Sequence, residues 1–383
     1  MINREAEKEL KELAKQFRAV AVTGPRQSGK TTIVRKVFSD KTYVSLENPD
    51  IRRFAADDPR GFLSTYPNGA ILDEVQRVPE LFSYLQQVLD ETKENGLFIL
   101  TGSNNFLLNN SISQSLAGRV AYLFLLPLSI GEIMPEANQS NQLMFQGGYP
   151  EIYQNKVDPV KFYANYIRTY IERDVRLIKN INDLYTFERF LRLCAGRIGQ
   201  LLNMNSLATE TGVDAKTISS WIGVLEASFI VFRLQPYHKN FNKRIVKMPK
   251  LYFYDTGLAA ALMGIDDISL LTIHPFRGAL FENLIVLDFL KKSFNSGKTN
   301  NLYFWRDNNG NEIDLLIKKG NRRVPVEIKS GQTINDDFFK GIRYWQKLTG
   351  NEGGYLVYAG DIEQKRSQSV SVVPFNKIDQ IEM

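Results

Sequence analysis

The stretch AVAVTGPRQSGKTT, residues 19–32, decides how the chain is read. Ala19 to Thr23 is a short apolar run with β-branched residues, which suits a buried strand. Gly24-Pro25-Arg26-Gln27-Ser28-Gly29-Lys30-Thr31 then satisfies G-x-x-x-x-G-K-[ST] at every fixed position. Thr32-Ile33-Val34-Arg35-Lys36-Val37-Phe38 continues as a helix. Strand, glycine loop and helix start in this order are what a phosphate-binding loop requires. The glycines let the backbone curl so that N–H groups face a phosphate, and the helix N-terminus adds partial positive charge. Gly24 to Thr32 would then line an ATP molecule, with Lys30 at its β- and γ-phosphates and Thr31 on Mg²⁺. The competing reading is a chance glycine turn, and the flanking strand and helix weigh against it.

With 383 residues the chain has room for two or three domains. A 43% hydrophobic and 23% charged composition is that of a globular protein and excludes a disordered chain. No apolar run is long enough to span a membrane, and the longest candidate, near Ala121 to Ile130, is broken by Pro127. The N-terminal MINREAEKELKEL is charged and amphipathic, unlike a signal peptide. The single cysteine, Cys194, excludes an internal disulfide, and with two histidines it argues against a zinc module. The expected compartment is the cytoplasm, with no membrane partner. A net charge of +6 mildly favours a nucleic-acid partner without demanding one.

Downstream of the loop, Thr42 to Leu46 reads as a second strand and Ala70-Ile71-Leu72-Asp73-Glu74 as a third that ends in two acids. In P-loop enzymes a strand beside the loop ends this way: the first acid holds Mg²⁺, directly or through water, and the second polarises the attacking water. Asp73 and Glu74 fit those roles. Leu97 to Asn104 is another buried strand with small polar residues at its end, among them Ser103, a candidate for the γ-phosphate or for a capped turn. Arg119, before the apolar run Ala121 to Leu126, is a candidate for stabilising transition-state charge in its own subunit or a neighbour's, or for pairing with an acid.

GPRQSGKTT, ILDEVQ, ILTGSN, SLAGRV and LPLSIGEI, in this order and spacing, resemble the predicted ATPases of the AAA_14 type within the AAA+ superfamily, which usually carry a C-terminal DUF4143 region. The resemblance implies a parallel sheet flanked by helices with ATP at the C-terminal strand edge.

Gly147-Gly148-Tyr149-Pro150 resembles a family joint and reads as a hinge. The stripe Tyr163, Tyr166, Ile167, Tyr170 and Ile171 reads as core. Glu172-Arg173-Asp174 is a charged cluster that locks helices or senses the nucleotide. Residues 203 to 232 carry a helix-turn-helix pattern, and Ile230 to Leu234 with Lys250 to Tyr254 complete a winged helix. Lys239, Lys243, Arg244 and Lys247 in its loop suit phosphates better than the second helix does. DNA contact and protein contact are equally open there.

The last hundred residues hold a second constellation. Glu312 to Ile317 and Val324 to Ser330 read as strands, and Glu327 and Lys329 share a face because they are two apart. In a hairpin Asp314 comes within reach of Glu327, and Glu282 approaches from a helix. Two acids with Glu-x-Lys resemble the PD-(D/E)XK nuclease fold. That resemblance implies Mg²⁺ or Mn²⁺ held by Asp314, Glu327 and Glu282, with Lys329 as the catalytic lysine. A charged face on an exposed hairpin would carry the same letters.

The expected fold class is therefore α/β: a P-loop parallel-sheet ATPase domain at 1–148, a helical and winged-helix module at 149–265, and an α/β nuclease-like domain at 266–383. Two functions follow. One is an ATPase coupled to a nucleic-acid-binding or nuclease domain. The other is a signalling or scaffold ATPase that binds a protein partner. Oligomeric state is not legible.

Overall fold

The computed structural model describes residues 2–102, 116–134, 139–175, 183–238 and 246–382, with the side chains of 172–175 and 368 excepted. Ser103, Lys239, Lys243, Arg244 and the side chains of Glu172, Arg173 and Asp174 therefore lie outside the described residues. The chain divides into two compact units. The first is Met1–Leu128 with Ala227–Phe229 and Phe294–Thr299, and the second is the remainder.

In the first unit, α1 (Glu7–Gln16) precedes β1 (Ala19–Thr23), α2 (Lys30–Val37), β2 (Thr42–Ser45), α3 (Pro49–Asp57), α4 (Pro59–Ser64), β3 (Ala70–Asp73), α5 (Leu81–Glu91), β4 (Phe98–Gly102) and β5 (Val120–Phe124). Among the described residues these strands form one five-stranded sheet in the order β2-β3-β4-β1-β5. Every pairing is parallel. β1, β3 and β4 are buried along their whole length, as central parallel strands covered on both faces must be. Alternate residues sort into two cores. Ala19, Ala21, Leu72 and Leu100 pack with Phe82 and Leu85 of α5. Val20, Val22, Ile71 and Ile99 pack with Leu10 of α1 and Ile33 and Val34 of α2. The strand ending in Asp73 is separated from β1 by β4, an order that the sequence reading did not give. This insertion brings the end of β4 to the centre of the site.

The second unit contains α6 (Ile130–Ile133), α7 (Ser140–Gln146), α8 (Pro150–Gln154) and α9 (Pro159–Tyr166), which runs into a π-helical stretch, Ile167–Val175. α10 (Leu184–Ala195), α11 (Met204–Thr211) and α12 (Ala215–Ala227) follow. Gly212 ends α11 in the left-handed conformation, and Asp214 starts α12 by accepting the N–H groups of Lys216 and Thr217. Trp221 of α12 packs edge-on against Phe187, with ring centroids 5.3 Å apart. β6 (Val231–Leu234) and β7 (Lys250–Phe253) follow these helices and pair antiparallel.

α13 (Thr256–Leu262) and α14 (Arg277–Asn295) lead to a sheet of β8 (Leu302–Arg306), β9 (Glu312–Lys319), β10 (Arg322–Lys329), β11 (Gly354–Tyr358), β12 (Gln364–Arg366) and β13 (Val370–Pro374), with α15 (Lys340–Thr349) between β10 and β11. The sheet order is β12-β13-β11-β10-β9-β8 and the pairing is mixed. The tyrosine stripe is core: Tyr163, Tyr166, Tyr170 and Ile171 are buried. The Gly147-Gly148 joint is clamped rather than loose. Asp255 accepts from Gly148 N at 2.7 Å, Tyr163 OH at 2.6 Å and Leu258 N at 2.9 Å. Tyr153 OH donates to Gly147 O at 2.6 Å.

Candidate active site

β1 delivers the loop at its C-terminal end. A Cβ at Gly24 would lie 2.1 Å from Leu125 O, so only glycine lets the chain pass there. Gly29 (φ 91°) turns the loop into the first residue of α2 in a left-handed conformation. Arg4, ahead of α1, donates to Ser28 O and Leu126 O, both at 2.7 Å, and fixes the loop from behind. Ser28 Oγ is buried with no hydrogen-bond partner among the described residues. Lys30, 6% exposed, folds back so that Nζ donates to Pro25 O at 2.7 Å and Gly24 O at 3.1 Å. Burial lowers its ammonium to about 8, against the pull of Glu74 and Asp73.

Asp73, at the end of β3, is the hub. Thr31 Oγ1 lies 3.2 Å from both carboxylate oxygens. Tyr43 OH donates to Oδ2 at 2.6 Å from β2, and Thr101 Oγ1 donates to Oδ1 from β4. Burial and the Asp73 hydrogen bond push the Tyr43 phenol up to about 12, so it stays a donor. Glu74 adopts a left-handed backbone (φ 55°) and accepts from Gln76 Nε2, while its own N–H donates to Thr101 Oγ1 at 3.3 Å. The fold thus brings Lys30, Thr31, Asp73 and Glu74 together. A hydroxyl beside a carboxylate at the mouth of a glycine loop is the oxygen donor set that suits Mg²⁺ on a phosphate chain. Tyr43, Thr101 and Arg4 went unread as site residues. Thr101 had a signal, as the hydroxyl at the end of a buried strand, whereas Tyr43 and Arg4 had none.

Arg119 is not brought to the loop. It precedes β5 at the N-terminal edge of the parallel sheet, the edge opposite Gly24, and Nε and Nη2 clasp Asp90 at 2.5 and 2.8 Å. Within one chain it is the pairing reading that the geometry matches.

In the second unit, β9 and β10 form the expected hairpin. Val326 pairs with Leu315, which sets Glu327 opposite Asp314 one step further on. Lys329 Nζ bonds Glu327 Oε2 at 2.7 Å and Asp314 Oδ2 at 3.1 Å, and Ile328 N donates to Asp314 Oδ2 at 2.8 Å. Glu282 instead turns to Lys250 Nζ (2.8 Å) and Tyr252 OH (2.5 Å). Burial and the neighbouring Asp314 raise the Glu327 carboxyl, while Lys329 and Lys250 overcome burial to hold Asp314 low. Among the described residues no group of three or more His, Cys, Asp and Glu side chains is placed to hold a metal ion. The metal set expected from Glu282, Asp314 and Glu327 is therefore not assembled.

The parallel sheet and its loop define an AAA-type P-loop ATPase fold. The family models agree: an AAA domain (AAA_14) matches residues 16–134, a domain of unknown function (DUF8612) matches 137–269, and a domain of unknown function (DUF4143) matches 277–378. The chain belongs to the family of AAA_14 proteins that carry a C-terminal DUF4143 domain. It is 32% identical over 380 residues to an uncharacterised protein of Mycobacterium tuberculosis, Rv2008c, covering 98% of this chain and 84% of that one. The Mycobacterium bovis protein Mb2031c, also uncharacterised, matches to the same extent. Among solved structures, the Walker-type ATPase PABY2304 of Pyrococcus abyssi is 13% identical, covers 68% of this chain and 96% of that one, and has a TM-score of 0.42. RuvB of Thermotoga maritima is 19% identical, covers 61% and 90%, and has a TM-score of 0.31. No helix among the described residues is long and apolar enough to cross a membrane.

Proposed function

We propose that the chain binds and hydrolyses ATP with Mg²⁺ and uses the cycle to control what its second unit engages. One observation carries the reading: Thr31, directly after Lys30, lies against Asp73. In this reading the loop from Gly24 to Thr32 holds the triphosphate, and Lys30 leaves the Gly24 and Pro25 carbonyls for the β- and γ-phosphates. Thr31 and Asp73 would hold Mg²⁺, which neutralises charge on the phosphates when bound. Glu74, one residue on, accepts a proton from the attacking water once Gln76 releases it. Lys30→Ala should lose ATP binding in calorimetry. Glu74→Gln should bind ATP normally and turn it over slowly. Turnover at the wild-type rate by Glu74→Gln rejects its role, and full affinity in Lys30→Ala rejects the site.

For the second unit the reading is nucleic-acid contact under nucleotide control. Its support is the turn between β9 and β10, where Lys318, Lys319 and Arg322 are exposed, in a chain whose net charge as a whole is +6. The protein-partner alternative gives a different result in one assay. Fluorescence anisotropy of labelled DNA should rise with added protein, fall steeply with salt and change between ATP and ADP. Anisotropy unmoved by protein in either nucleotide state favours the protein partner.

A further inference from the structure

β7 is a strand with every residue buried, and its first residue is a lysine. Lys250 is 3% exposed. An ammonium so placed must be matched by carboxylates, and two separate elements supply them. Glu282 of α14 bonds Nζ at 2.8 Å, and Glu312 of β9 bonds it as well. Phe304 of β8 lies beneath, its ring centroid 5.5 Å from Nζ. Tyr252, two residues along on the same strand, donates to the same Glu282 oxygen as Lys250. Arg306 takes the far oxygen of Glu312 at 3.1 Å. Asp314 follows Glu312 on the same face of β9 and is held with Glu327 by Lys329. Glu327 is also packed against α15, where a Cβ at Gly341 would lie 1.9 Å from Oε1.

A divalent ion shared by these residues needs free oxygens from Glu282 and Asp314 at about 2.1 Å for Mg²⁺. The Glu282 oxygen that bonds Nζ already carries two donors, and the buried cation beside it is Lys250. We infer that Lys250 is the resident cation of this carboxylate cluster, standing where the nuclease-like arrangement would place a divalent metal. The second unit then engages its ligand without metal-dependent cleavage, and the cluster ties β7, α14 and β9 together. This inference stands apart from the ATPase reading, because it uses no residue of the first unit.

The test is a Mn²⁺ titration of the full chain followed by electron paramagnetic resonance, in an Asp73→Asn background that removes the carboxylate of the first unit. The Asp73→Asn protein should leave Mn²⁺ free at the C-terminal cluster. Adding Lys250→Met should create one Mn²⁺ site per chain, which a further Glu282→Gln or Asp314→Asn abolishes, and Lys250→Arg should not create it. Two results overturn the inference. One is Mn²⁺ bound by the Asp73→Asn protein and lost on Glu282→Gln or Asp314→Asn. The other is a folded Lys250→Met variant, judged by circular dichroism, that gains no site. If Lys250→Met does not fold, the Asp73→Asn titration alone decides.

Discussion

Replacing Thr101 by valine removes one hydroxyl and keeps the shape of the side chain. That hydroxyl donates to the Asp73 carboxylate and accepts the backbone N–H of Glu74, and among the described residues it has no hydrogen bond to the glycine loop. Asp73 draws its donors from Thr31, Tyr43 and Thr101. A hydrogen bond to a charged group contributes about 1.5–3 kcal/mol, and Thr101 is fully buried, so water does not replace it. At about 1.4 kcal/mol per tenfold, Thr101→Val should lower kcat by about 10- to 100-fold. Lys30 and the loop amides are untouched, so ATP affinity should stay within about twofold. Phosphate release under saturating ATP gives kcat, and displacement of a fluorescent ADP analogue gives affinity. Thr101→Ser returns the hydroxyl and should recover most of the rate. A Thr101→Val enzyme with wild-type kcat refutes the reasoning, as does one whose affinity falls in step with kcat.

Burial lowers Lys30 to about 8 without nucleotide, and phosphates restore its charge. ATP binding should therefore take up about half a proton at pH 8 and about a tenth at pH 7, read by calorimetry in buffers of different ionisation enthalpy. Equal uptake at the two pH values refutes it. The unfolded lysine keeps its proton to 10.5, so this residue's contribution to stability rises from about pH 8 to about pH 10.5 and is lost again as pH falls. Asp255→Ala removes three hydrogen bonds, one of which caps α13. It should cost about 3–5 kcal/mol in urea unfolding, and a loss under about 1 kcal/mol would show that the clamp is not structural. Arg119→Ala should leave turnover of dilute protein unchanged, because the guanidinium clasps Asp90 at the far edge of the sheet. A fall in kcat that deepens with protein concentration would place Arg119 at a neighbour's loop.

The first unit was legible because its signals are local. A phosphate loop is a continuous motif, and β1, β3 and β4 are short, mostly apolar runs whose length suits buried strands. Asp73 and Glu74 stood out as acids at the end of such a run. Strand order was not legible, since no local signal says that β4 inserts between β1 and β3. With the order went Thr101 as a partner of Asp73, and Tyr43 from the sheet edge. Arg4 reaches Leu126 across 122 positions, and Asp255 reaches Gly148 across 107. Contacts of that range leave no periodic trace.

Lys250 shows why the same letters supported two chemistries. The run HKNFNKRIVKMPK leading into β7 is basic, and its last lysine, Lys250, reads only as the start of a strand. A strand lysine faces water only if that face of its sheet is open, and β7 is covered on both. Once buried, the charge needed partners, and Glu282 and Glu312 turned toward it rather than toward Asp314. Asp314, Glu327 and Lys329 come together because two strands pair in register. Whether such a hairpin holds a metal depends on the cation beside it, and here that cation arrives from a strand about sixty residues earlier in the sequence.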